Sequence, residues 1–297
     1  MKLSVIIPTY RDWPRLQLCL AALERQTLPR ADYEIIVVDN DAETHTRPAL
    51  PAGVRLLHAP QGYSYAARNA GLAASQGAVL AFTDADCLPE PDWLEAGLAA
   101  LDARPDWQLL AGRIEVFSDT PNAVFRYESL FEFQQETWVQ HLHFGATANL
   151  FVRRAACEAV GGFDASMKSG GDADFGQRCH AAGFAIGYSA AACIRHPSRH
   201  SLHEVLLKNR RIAAGFYGHA LRDCAGDRAA VARTLPKWWT PRPREWLHIL
   251  SGRRGSRRFA FHQRFGVLGV HMLLRYHTAW CLLRTHLSEG RSHHDVR

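Results

Sequence analysis

Four short runs of the chain are apolar with almost no polar interruption: Lys2–Pro8, Tyr33–Asp39, Val54–His58 and the stretch Ala78–Thr83. Such runs predict strands buried on both faces, which is the pattern of a parallel sheet covered by helices. Between them the period changes. Trp13, Leu16, Leu20 and Leu23 recur at helical spacing, with Asp12 placed as N-cap and Pro14 in the first turn. An alanine-rich helix is expected over Tyr65–Gln76, ending near Gly77, and another over Pro91–Ala103. Strands alternating with helices define an α/β fold with a mostly parallel central sheet flanked by helices. Further on, Asn122–His141 reads as one amphipathic helix rich in aromatics, and Phe265–Leu287 as a moderately apolar helix broken by His271, Arg275 and Arg284.

Composition adds a boundary and a compartment. At 297 residues the chain holds one large domain, or a domain with an appendage. The opening MKLSVIIPTY lacks a small-residue cleavage site and reads as a first strand. No run approaches the roughly 18 uninterrupted apolar residues of a spanning helix. Seven cysteines without a CxxC pair point to a reducing, cytoplasmic setting. Residues 233–297 carry 13 Lys and Arg against 3 Asp and Glu, whereas the whole chain is only +6. With the Pro- and Trp-rich stretch from Pro236 to Trp246, this charge shift sets a boundary near 230. The expected division is therefore 1–230, with halves of about 1–117 and 118–230, followed by a basic helical region, 231–297.

Candidate chemistry collects at the ends of strands, where open α/β sheets bind ligands. The first strand ends at Pro8-Thr9-Tyr10, the second at Asp39-Asn40, and the fourth at Asp84 and Asp86 in the string FTDADC. Parallel strands bring all three ends to one lip of the sheet. Two carboxylates one residue apart suit Mg²⁺, which takes one or two protein carboxylates and completes its shell with phosphate and water; the plainer alternative is an acidic surface turn. Asp39 is placed to accept hydrogen bonds from a base or ribose, or else caps a turn with Asn40. Arg68 lies one turn inside the helix that follows Gln61-Gly62-Tyr63-Ser64, placed for a phosphate or for a salt bridge to the acidic edge. Nothing resembles GxGxxG after the first strand, which counts against a dinucleotide-binding dehydrogenase.

The ordered set SVIIPTYRDWPRLQLCLAALERQ, EIIVVDN, ARNAGLAASQG and FTDADC resembles the family 2 glycosyltransferases, with their nucleotide-sugar-binding GT-A fold, over roughly residues 3–200. The resemblance implies an inverting enzyme that moves a sugar from a nucleoside-diphosphate sugar, UDP-linked by expectation, to a hydroxyl acceptor. It implies that Thr9 and Asp39 contact the nucleoside, that Tyr10 beside Pro8 shapes its pocket, and that Arg68 approaches the base or diphosphate. Asp84 would reach the ribose or donor sugar, and Asp86 would bind Mg²⁺ or Mn²⁺.

Single-step inversion needs a base for the acceptor hydroxyl. In SGGDADF, Asp172 aligns with the family's base, but Gly171 stands where the usual Glu precedes it. That departure brings Asp174 in as a sharer of the role. The plainer reading of Asp172 is the N-cap of the helix closing near Gly183; the dipole at that helix start would hold a carboxylate ionised, which suits a base. His196 is placed to join the metal shell or to serve as a packing residue. Phe131, Phe133 and Trp138 are candidates for stacking on a sugar or lipid-linked acceptor, or are simply core. Region 231–297 is read either as a membrane-surface element, at the inner face of the cell membrane, or as a helix packed on the catalytic domain. No nucleic-acid module is visible. Two other classes stay open: a non-catalytic nucleotide-sugar binder, and a sugar-phosphate nucleotidyltransferase, although PTYRDW lacks the glycine-rich basic loop the latter needs.

Overall fold

The computed structural model describes residues 2–43, 48–60, 62–253 and 255–292. Gln61 of the loop before Arg68, Arg254 of the basic run, and 293–297 lie outside the described residues. The chain forms two compact units: residues 1–116 with 133–197, and residues 117–132 with 198–297. The charge shift near 230 thus falls inside the second unit.

The first unit is built on a sheet of eight strands in the order β3-β2-β1-β4-β7-β6-β8-β5. These are β1 (Leu3–Thr9), β2 (Tyr33–Asp39), β3 (Val54–His58), β4 (Val79–Thr83), β5 (Leu88–Pro89), β6 (Trp107–Phe117), β7 (Asn149–Arg153) and β8 (Ala185–Pro197). The first four pair in parallel. β7 runs antiparallel to β4 and to β6, and β5 antiparallel to β8, so the sheet is mixed rather than mostly parallel. The register sets Thr9 opposite Asp39, and Ile6 opposite Phe82.

Both faces of β1, β2 and β4 are covered, which is why they read as unbroken apolar runs. β3 is the edge strand and, contrary to the expectation of a strand buried on both faces, exposes Arg55, Leu56 and His58. Leu3, Val5 and Ile7 pack in one core with Leu16, Leu20 and Leu23 of α1 (Trp13–Leu23). Trp93, Leu94 and Leu101 of α3 (Trp93–Ala103) join the same core. Ile6, Leu80 and Phe82 point the other way. They meet Tyr65 of α2 (Ser64–Ala74), Cys157 of α6 (Arg154–Ala159) and Phe175 of α7 (Gly171–Ala181). At 25 cal/mol per Å² of apolar area, each fully buried large side chain contributes roughly 1.5–3 kcal/mol.

The helix expected over Asn122–His141 is two helices, α4 (Ala123–Phe131) and α5 (Gln135–Leu142), and the break falls between the units. The side chain of Asn122 caps α4 by accepting from the Phe125 N–H. Gln135 opens α5, and its amide donates to the carbonyls of Gly112 and Asn149. Such tertiary bonds override a continuous helical pattern. Phe131 stacks on Tyr127 and His271 within the second unit, whereas Phe133 and Trp138 belong to the first.

The second unit joins α4 to α8 (Leu202–Asp223), α9 (Arg228–Thr234), α10 (Pro236–Trp239), α11 (Pro243–Ser251) and the long α12 (Phe261–Ser292). Val124, Val205, Val270 and Leu274 form one small core, and Ala213, Tyr217, Val231 and Leu282 another. Glu128 is buried and receives two hydrogen bonds from Arg199. Among the described residues, no helix is long and apolar enough to cross a membrane.

Candidate active site

Every residue singled out for donor, metal or base roles lies in the first unit; of the acceptor candidates, Phe131 does not. β1, β2 and β4 deliver their carboxyl ends to one edge because they run parallel and in register. Pro8 and Thr9 are buried there, whereas Tyr10 emerges with 58% of its surface exposed under the guanidinium of Arg11. Asp39 is fully buried, and its Oδ1 accepts the Asp41 N–H at 3.0 Å, the turn that was the plainer expectation for it. Asp41, which sequence reasoning passed over, is gripped by Arg11 through both Nε and Nη2.

Arg68 is the hub of the acidic cluster. It is buried, its Nη2 donates to Asp84 Oδ1 at 2.5 Å, and its charge also acts on Asp172. Both sequence readings of Arg68 placed it beside the aspartates, and its ion pair with Asp84 is what the structure shows. Its Nε, together with the hydroxyls of Thr9 and Thr83, is buried without a hydrogen-bond partner among the described residues. Buried polar atoms are nearly always satisfied. These three atoms at one sheet edge are free to meet a polar ligand.

Asp86 is separate from Arg68 and faces a different set. His196 Nε2 lies 3.7 Å from Asp86 Oδ1, and Arg15 Nη1 lies 3.6 Å from Oδ2. Ligand atoms of Asp86, Cys87 and His196 fall within 4.8 Å of one another. His196 Nδ1 sits 2.8 Å from the Pro197 carbonyl, an acceptor only, so that nitrogen carries the proton. The lone pair is then on Nε2, facing Asp86, as in metal-binding histidines oriented by a backbone carbonyl. Phe133 packs on the imidazole, with ring centroids 4.8 Å apart. The donor set fits a divalent cation. Burial raises the Asp86 carboxyl above the usual range, His196 in its protonated form and Arg15 oppose that rise, and Asp84 adds to it.

Asp172 stands in the first turn of α7. It is not the N-cap: that position is Gly170, at φ +83°, where glycine has no steric cost. The Asp172 Oδ1 accepts from the Thr147 hydroxyl at 2.9 Å. Burial pushes its carboxyl up, against the pull of Arg68 and the Thr147 bond, and Asp84 pushes it further. Desolvation is thus the largest influence on this carboxyl, and it acts upward. Asp174, two residues on, accepts from Arg178 Nε at 2.8 Å, and Arg178 also donates to the carbonyls of Val160 and Gly162. That pairing ties α7 to the segment after α6.

Gly171 has a steric reason. A Cβ there would lie 2.7 Å from Cε2 and Cζ of Tyr65. The ring fills the space a larger residue would need. Tyr65, Thr147, Arg15 and Cys87 carry no local signal in the sequence; their roles come from contacts many residues away.

With this geometry in place, comparison with known proteins gives a consistent result. Residues 4–161 match the model of glycosyl transferase family 2. The chain is 35% identical to glycosyltransferase AglE of Haloferax volcanii over 71% of this chain and 72% of that one. It is 31% identical to the succinoglycan biosynthesis protein ExoM of Rhizobium meliloti, over 72% and 73%. Among solved structures, the mannosyltransferase PcManGT of Pyrobaculum calidifontis, in complex with GDP-Man and Mn²⁺, superposes with a TM-score of 0.59 at 17% identity. That match covers 91% of this chain and 86% of that one. TarS of S. aureus with UDP-GlcNAc gives 0.53 at 18% identity, covering 72% and 66%. The chain belongs to glycosyl transferase family 2, and its first unit has the GT-A fold of these transferases.

Proposed function

We propose that the protein is an inverting, metal-dependent glycosyltransferase that carries a sugar from a nucleoside-diphosphate donor to a hydroxyl acceptor. The observation that supports this most directly is the gathering of Asp84, Asp86, Asp172 and His196 around Arg68 and Arg15 at one sheet edge. Thr9 and Asp39 receive the nucleoside at the ends of β1 and β2. The buried Nε of Arg68 is an unused donor for a ribose or phosphate oxygen. Asp86 and His196 hold the cation, which when bound neutralises charge on the departing diphosphate. Imidazole beside carboxylate favours Mn²⁺ over Mg²⁺.

Asp172 is the base that takes the acceptor proton. A carboxyl lifted by burial holds a proton more readily than an exposed one, so it is a stronger base, while Arg68 and Thr147 keep it ionisable. Asp174, occupied by Arg178, positions the helix. Relatives named for surface-polymer synthesis, ExoM among them, make an envelope or surface glycan the reading for the acceptor. UDP-GlcNAc and GDP-Man in the two structural neighbours leave uridine and guanosine donors as the pair to separate.

The experiment is a thermal-shift panel of UDP- and GDP-sugars with Mn²⁺, Mg²⁺ and chelator, followed by product analysis of the anomeric centre. Stabilisation by one donor only with metal, and a product of opposite anomeric configuration, is the expected result. A donor that binds equally in chelator, or a product with retained configuration, overturns the reading.

A further inference from the structure

Within the second unit, α8 and α12 line an open groove of about 330 Å³, formed among others by Arg210, His277, Trp280, Arg284, Thr285 and Ser288. Neither Arg210 nor Arg284 has a carboxylate partner among the described residues, and both are exposed. Two unneutralised guanidiniums on one groove select an anion. Guanidinium is suited to phosphate, which it meets with paired donors.

The rim says which kind of anion. Leu273, His277, Trp280, Arg284 and Leu287 are spaced by four, three, four and three residues, so they form one stripe along α12. Three of them are large apolar side chains held in water: Leu273 is 42%, Trp280 54% and Leu287 58% exposed. On α8, Leu207 is 53% exposed, one turn before Arg210. A soluble phosphate compound gives these side chains nothing to bury in. A bilayer surface does, with apolar residues and tryptophan in the headgroup region and arginines on the phosphates. The surplus of 13 basic over 3 acidic residues in 233–297 has the matching sign.

We propose that this groove seats the phosphate of an anionic membrane lipid, with Arg210 and Arg284 on the phosphate and Trp280 among the acyl-chain roots. The inference is independent of the transfer reaction and names a site on the other unit.

Flotation of the full chain with vesicles of phosphatidylcholine, alone or mixed with phosphatidylglycerol, tests it. Binding is expected only with the mixed vesicles. The double variant Arg210→Ala with Arg284→Ala should lower the partition coefficient roughly 30-fold, at about a factor of five per basic residue near the surface. Arg253→Ala with Arg257→Ala removes the same net charge elsewhere in the tail and should change it little. An equal loss in the two doubles means diffuse attraction and overturns the seat. Brominated lipid supplies a second readout: it should quench a tryptophan signal present in wild type and missing in Trp280→Phe. Identical quenching of the two proteins contradicts the proposal. So does protection of the groove by soluble glycerol phosphate with no vesicle binding.

Discussion

Replacing Gly171 by alanine sets two effects of opposite sign against each other. In a helix, alanine is better than glycine by about 1 kcal/mol, so propensity alone predicts a gain. The new methyl, however, would stand 2.7 Å from Cε2 and Cζ of Tyr65 and 2.8 Å from Cδ2. Those atoms belong to a ring that is itself packed on Phe163, with centroids 5.9 Å apart, so it has little room to retreat. Overpacking of this kind costs about 1–3 kcal/mol. The expected net is a loss of up to about 2 kcal/mol, read as a lower urea midpoint at unchanged slope. Tyr65→Ala removes the obstacle and by itself costs about 3 kcal/mol. In the double variant the clash is gone, so Gly171→Ala should turn neutral or mildly stabilising, with a coupling of about 2 kcal/mol between the sites. Additive losses, or a stabilising Gly171→Ala on its own, would refute the claim that the ring occupies the place of a larger residue. The Glu-Asp form of the motif is then incompatible with Tyr65 in this position.

Other outcomes follow from the same geometry. Because burial raises the Asp172 carboxyl, the acid limb of kcat/KM should lie above the usual carboxylate value of about 3.9. Arg68→Gln should move that limb to higher pH by removing the opposing cation; an unmoved limb would detach Arg68 from the base. The sign for stability is the reverse of the common acidic case. Between the unfolded and the raised folded value, the native state keeps a proton that the unfolded chain has lost, so stability falls as pH rises. Asp172→Asn should therefore raise the melting temperature at neutral pH, and an unchanged or lower value speaks against a desolvated carboxylate. Asp86→Ala and His196→Ala should each abolish the Mn²⁺-dependent part of the donor thermal shift, and survival of that shift in both variants would place the metal elsewhere. Asp174→Ala should cost only about 0.5 kcal/mol, as for a partly exposed i,i+4 pair, and leave the acid limb in place.

Much of this was legible in the chain, for identifiable reasons. β1, β2 and β4 are buried on both faces, so their sequences are continuous apolar runs, and parallel pairing then forces Thr9, Asp39 and Asp84 to one edge. The antiparallel half was harder to see. Most of β8 is only partly buried, and the apolar pattern of β6 is broken where Arg113 and Glu115 face solvent. The break between α4 and α5 depends on Gln135 reaching the backbone of Gly112 and Asn149, which no local pattern encodes. At the site, the candidate residues for metal and nucleotide are legible because they stand at strand ends. Their tuning does not. Thr147 acts on Asp172 from 25 residues away and Arg15 on Asp86 from 71, while the Tyr65–Gly171 fit exists only once α2 and α7 are side by side.

The central claim is that Asp172 activates the acceptor in a site otherwise complete for the donor. Asp172→Asn keeps the shape and most of the hydrogen bonding of the side chain but removes its basicity. With the donor that the binding panel selects, calorimetry and single-turnover transfer should be measured on wild type and variant together. The account predicts Mn²⁺-dependent donor affinity within a few-fold of wild type and a transfer rate lower by at least about 100-fold. Transfer at the wild-type rate by Asp172→Asn, with donor bound equally well, would contradict it.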